Sequence, residues 1–172
     1  MKNDIKNSDS ENSNEPKKNI SEKADAIIKK HIYVSSAVGL IPLPFIDFMG
    51  VTGVQLNLLR RLANEYNVPF NKDIVKQITG SLIGGGLSAS VGARLGTSLT
   101  KIIPGPGMVL GAVSTSTLSA ATTYAVGKVF KRHFEDGGTF LTFDPEKARE
   151  YYRHMFKEGE RIVSEIKSKP QV

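Results

Sequence analysis

The chain has no cysteine, so neither a disulfide nor a thiolate metal site can form. Its three histidines, His31, His133 and His154, are scattered. His154 and Glu158 stand one helical turn apart, but two ligands from one face are too few for a metal centre. No Gly-x-x-x-x-Gly-Lys-Ser/Thr run occurs, so the chain is not itself a P-loop nucleotide hydrolase. The glycines of 105–111 are one position out of register for a dinucleotide loop, no strand precedes them, and Pro106 removes a donor. That segment reads as a turn. No Ser, His and acid arrangement suggests nucleophilic catalysis. The N-terminus is rich in Lys, Asn and Ser with no apolar core, so it is no secretory signal. No catalytic, cofactor-binding or metal-ligating residue is therefore expected, and the reading is that of a non-enzyme.

Charge is also missing where it would be expected. Between Gln77 and Gly127 only Arg94 and Lys101 are charged. The net charge of +6 is unevenly placed: residues 1–23 hold five Lys and five acids, whereas residues 71–133 hold seven Lys or Arg and one Asp. The excess gathers at Lys72 and Lys76 before the apolar stretch and at Lys128, Lys131 and Arg132 after it. Such a patch suits anionic lipid or an acidic partner. Nucleic acid is not expected, because the cations sit at helix ends with no Arg-rich recognition helix and no aromatic platform.

What is present is helix. Residues 1–20 carry too few apolar side chains to offset their ordering entropy and are expected to be a disordered tail. Residues 21–168 are expected to form a single all-α domain of about five helices. The first runs from the N-cap Ser21 to about Val38, with apolar positions at helical spacing. The two prolines Pro42 and Pro44 make an extended link. A second helix runs from about Pro44 or Phe45 to Tyr66, with Asn57, Arg60, Arg61, Asn64 and Glu65 on its outward face.

The third helix, about 73–101, carries small residues at four-residue spacing: Gly80, Gly84, Ser88, Gly92 and Gly96. Each helical Gly costs roughly 1 kcal/mol against Ala, so close packing should compensate. The fourth helix, about 107–134, repeats the device with Gly111, Thr115, Ser119, Thr123 and Gly127. The two stripes predict an antiparallel helical hairpin closed through them. Residues 139–143 alternate and read as briefly extended. Asp144, Pro145 and Glu146 then open a last amphipathic helix that ends near Ser168.

Two isolated charges stand out. Asp47 is the only charge between His31 and Arg60, and Arg94 the only one between Lys76 and Lys101. They read either as a direct pair, or as a first-turn acid and a snorkelling cation.

The stretch from Leu40 to Tyr66 resembles a bacterial group of domains of unknown function, DUF697, to which inner-membrane YcjF-like proteins belong. Pro42, Pro44, Asp47, Gln55, and the Leu62, Ala63, Glu65 and Tyr66 end carry the resemblance, together with the Gly-rich hairpin and residues 126–137. It extends over roughly 24–166. It implies an all-helical accessory domain at the cytoplasm or the cytoplasmic face of the inner membrane, working with a GTPase on another chain. It imports no catalytic residue.

Each hairpin arm exceeds the 20 residues that span a bilayer, and both basic ends would lie on one side. Against a span, the arms are rich in Ser and Thr, and Arg94 falls inside one. The expectation is a compact helical domain that associates with membrane. A soluble interaction or self-assembly module, including a homo-oligomer, is the alternative.

Overall fold

The computed structural model describes residues 5–38, 46–87 and 107–168, and the side chains of 15–36, 53–86, 116–166 and 168. Five helices follow one another: α1 Ile5–Val38, α2 Ile46–Glu65, α3 Lys72–Leu87, α4 Gly107–Glu135 and α5 Pro145–Ser168. No strand occurs among the described residues, as the all-α expectation requires. α1 extends back through Pro16 to Ile5, well before Ser21. Residues 15–19 are exposed, and the first buried side chain is Ala24. Packing therefore begins close to where the sequence placed the start of the helix.

Local chemistry sets the helix ends. α2 stops because Asn67 adopts a left-handed φ of 54°. Val68 N–H then donates to Ala63 O at 2.8 Å and Asn67 N–H to Asn64 O at 3.3 Å, a Schellman closure. α4 ends the same way at Gly137, φ 83°, with Gly138 N–H on His133 O and Gly137 N–H on Phe134 O. Asn71 caps α3, its Oδ1 accepting from Asp73 and Ile74 N–H. Asp144 caps α5 through Glu146 and Lys147 N–H. Those bonds, Lys147 N–H first, hold its carboxyl below the usual range.

α4 is the central element. It packs against α1, α2 and α5, while α3 docks mainly on α5. Its run of Ser, Ala and Thr is thus explained: a helix covered on nearly every side is buried all round, and small side chains let its neighbours approach. From Ser116 to Lys131 almost every residue is buried. Gly127 meets α1, where a Cβ would stand 2.8 Å from Ile28 Cγ1. Ser35 and Thr123, both fully buried, share a hydrogen bond of 2.8 Å, and Ser116 donates to Ser36 O. On the other side Gly159 of α5 lies against Ala121, whose Cα would be 3.0 Å from an added Cβ.

Within the described residues the two small stripes meet other partners than each other, while 88–106, where much of the expected hairpin falls, lie outside them. Ser119, Thr123 and Gly127 of the α4 stripe are buried, and Thr123 and Gly127 meet α1. On α3, Gly80 and Gly84 are exposed, and nothing lies within 4 Å of a Cβ at either. Close approach falls instead at Gly85 and Gly86, which Arg149 and Tyr152 of α5 cover. Four-residue spacing marks a face without Cβ atoms but does not say that the face is buried. Gly92 and Gly96 lie outside the described residues, and the surroundings of Gly111 are not among them.

Residues 139–143 are a turn, not an extended segment, with Thr142 N–H on Thr139 O. Alternation fails because Phe140 and Phe143 both turn inward. Phe143 stacks on Phe130 at 4.3 Å, and Phe140 meets Phe134 edge-on at 5.1 Å. Phe70 joins them at 5.8 Å, so the ends of α2 and α4 and the start of α3 share one pole of the molecule.

Candidate functional site

The expected basic patch is partly consumed inside the fold, at two of its five cations. Lys128 Nζ and Lys131 Nζ both reach Asp25 of α1, at 2.9 and 2.5 Å. Lys131 also faces Glu135 at 3.7 Å, and its side chain is only 9% exposed. Burial works to raise the Asp25 carboxyl, but the hydrogen bonds from Lys131 and Lys128 outweigh it and hold the group below its ordinary value. Arg132 is exposed and lies over the Tyr151 ring at 4.7 Å. Lys72 and Lys76 are exposed on α3 and make no ion pair among the described residues. Five cations therefore do not form one free surface. Asp25, some hundred residues away in sequence, pairs with the two central ones, and Glu135 adds a second acid beside Lys131.

Further positive charge without an ion pair among the described residues lies on α1 and α2. Their antiparallel packing is set by Lys23 to Glu65 at 3.2 Å and by His31 to Asn57. Beside the His31–Asn57 contact lies a groove of about 430 Å³. Lys30, His31 and Val34 line it from α1, and Gly53, Val54, Asn57 and Arg61 from α2. Gly53 leaves its wall open, since nothing lies within 4 Å of a Cβ there.

A chain of hydrogen bonds orders the polar side of the groove. His31 is buried, with Nδ1 2.8 Å from Ile27 O and Nε2 3.0 Å from Asn57 Oδ1. Arg61 Nε donates to the same Asn57 Oδ1 at 3.0 Å. Lys30 and Arg61 make no ion pair among the described residues. Tyr33 and Val34, exposed at 49% and 42%, continue the rim with apolar surface. The sequence had placed Asn57 and Arg61 on a solvated face. Their four-residue spacing was the one signal of a shared structure.

Residues 5–161 match the family described as "Domain of unknown function (DUF697)". The chain belongs to this DUF697 family. The match is to the family as a whole and does not single out its YcjF-like members. The chain is also similar to Magnetosome membrane protein 22 of Magnetospirillum gryphiswaldense, 32% identical over 148 residues, which covers 86% of this chain and 76% of that protein. No solved structure matches it.

Of the residues that carry the DUF697 resemblance, Gln55 is buried on α2, and its Nε2 finds no partner among the described residues. Tyr66 donates its hydroxyl to Glu135 Oε1 at 3.1 Å and tilts against Phe134, tying the end of α2 to that of α4. Burial first, then Glu135, pushes its phenol pKa up. Pro42, Pro44 and Arg94 lie outside the described residues, and so does the Asp47–Arg94 pair, although Asp47 itself falls in the first turn of α2.

No group of three metal-capable side chains occurs among the described residues. Glu158, weighed as a partner of His154, accepts the Tyr124 hydroxyl at 3.0 Å instead. No described helix is long and apolar enough to cross a membrane. The polar groups of the α1–α2 groove can hold an anion.

Proposed function

We propose that this DUF697 chain is a non-enzymatic accessory domain that associates with an anionic membrane surface and serves a GTPase on another chain. The observation that carries the membrane half is the match over 86% of the chain to a protein named for a membrane. The fold adds a physical means. Lys29, Lys30, Arg60 and Arg61 are exposed on α1 and α2 without acidic partners among the described residues, and Tyr33 and Val34 stand beside them. Each cation near an anionic leaflet contributes about 1 kcal/mol, within a Debye length. The GTPase half rests on the family resemblance read in the sequence.

Flotation with vesicles tests the membrane half. The protein should rise with vesicles containing anionic lipid, not with neutral ones, and salt should release it. Protein left in the aqueous fraction at low salt would favour a soluble interaction module. Cross-linking in the native cell tests the GTPase half. It should join the chain to a GTP-binding protein, and a full set of cross-links without one removes that part.

A further inference from the structure

We propose that the groove between α1 and α2 binds the phosphate headgroup of an anionic phospholipid, an inference that rests on the membrane reading above. Its volume, about 430 Å³, lies in the range of small-molecule sites. More telling is the charge. Lys30 and Arg61 face the groove, and no acid lines it. Elsewhere the fold meets its inward cations with a carboxylate, as Asp25 meets Lys128 and Lys131. Two cations at one concave site without a counter-charge focus a field that an anion would satisfy.

The geometry also prepares Arg61. Its Nε donates to Asn57 Oδ1, an oxygen that also lies 3.0 Å from His31 Nε2 of the facing helix. The guanidinium plane is thereby oriented while its two terminal amino groups remain available as a fork. That fork matches phosphate oxygens in bidentate fashion. Lys30 adds a point charge from the facing helix. Asn57 is a positioning residue here, acting through Arg61.

The remaining wall selects lipid over free phosphate. Val34 and Val54 are apolar, Gly53 leaves room, and exposed Tyr33 extends the rim. A free anion gains nothing from them. The glycerol and upper acyl carbons of a phospholipid would lie along them, and Tyr suits the level where apolar and wet regions meet.

The test compares the parent, Lys30→Gln/Arg61→Gln, and the charge-matched control Lys72→Gln/Lys76→Gln on vesicles of phosphatidylcholine with or without phosphatidylglycerol. Lys30, Arg61, Lys72 and Lys76 are all exposed, so both variants should keep the parent's melting temperature. Two cations at an anionic surface account for roughly a 30-fold change in affinity. The groove variant should lose at least that much and the control distinctly less. Arg61→Lys should fall between, because it keeps the charge and loses the fork. Dihexanoyl-phosphatidylglycerol below its micelle concentration should perturb the amide resonances of Val34 and Val54, and inorganic phosphate should bind more weakly. Equal losses in groove variant and control would mean diffuse attraction and overturn the site. Phosphate binding as tightly as the short lipid would overturn the lipid assignment. A parent that floats with a groove variant that floats equally well removes the site but leaves the membrane reading. A parent that never floats removes both.

Discussion

Replacing Asp25 by Asn tests the ion cluster that joins α1 to α4. The perturbation removes the carboxylate that faces Lys131 at 2.5 Å and Lys128 at 2.9 Å. Breaking a fully buried pair costs about 3–5 kcal/mol, and an exposed one about 0–1. This pair is asymmetric. Lys131 is nearly enclosed, whereas the Asp25 side chain is 47% exposed and Glu135 still stands 3.7 Å from Lys131. Solvent and Glu135 therefore absorb part of the loss, and about 1–3 kcal/mol is expected. Urea unfolding followed by circular dichroism reads it. Asp25→Asn/Lys131→Met, which removes both charges, should cost less than the sum of its parts by about 1 kcal/mol or more.

The pH dependence has a fixed sign. Asp25 is lowered in the fold from 3.8, so its contribution is complete above that ordinary value and fades as pH falls through the lower folded one. The gap between parent and Asp25→Asn should stay flat from neutrality to about pH 5 and close below about pH 4. Additive single and double variants, or a gap that widens in acid, would refute the cluster as an energetic tie.

Much of this fold is legible in the sequence because its signals are local. The apolar period of the last helix, the Asp144 cap and the Gly137 stop each act within a few residues, and α2, α4 and α5 lie within a residue or two of the expected bounds. Asn71 was the missed cap, one residue before the helix and two before the expected start at Asp73. Partner choice is not local. The small residues of α4 announced close approach correctly at Gly127 and Thr123, but their partner is α1, reached through Ile28 and Ser35. Two stripes adjacent in sequence look like natural mates. A central helix, however, must fill contacts on several sides, and the order of elements does not say which neighbour takes which face.

The basic patch shows the same limit in electrostatics. Charge summed over 71–133 leaves out any acid delivered by another helix, and Asp25 comes from α1. Conversely, Arg61 looked ordinary on a solvated face. It becomes notable only once His31 of α1 is seen beside Asn57 beneath it. A site assembled from two helices has no linear motif, so sequence reading could find its residues only as unremarkable polar positions.

The remaining predictions concern packing. Ser35→Ala leaves the buried Thr123 hydroxyl without its partner and should cost about 1–3 kcal/mol, with Ser35→Ala/Thr123→Val costing less than the two single changes summed; equal stability of parent and Ser35→Ala would mean that the bond contributes nothing. The glycines should divide by the space around them, not by their spacing. At Gly84 nothing lies within 4 Å of a Cβ, so Gly84→Ala should gain up to about 1 kcal/mol through helix propensity alone. At Gly159 an added Cβ would meet Ala121 Cα at 3.0 Å and Ala121 O at 3.1 Å, backbone atoms of the central helix that cannot turn aside as a side chain can. Gly159→Leu should therefore destabilise by about 1–3 kcal/mol or more, since α5 must move off α4 to admit it. Thermal melts of the two variants decide the matter. If Gly84→Ala lowers the melting temperature and Gly159→Leu does not, then α3 is held through its glycine stripe after all, and the α4–α5 contact is not the tight one.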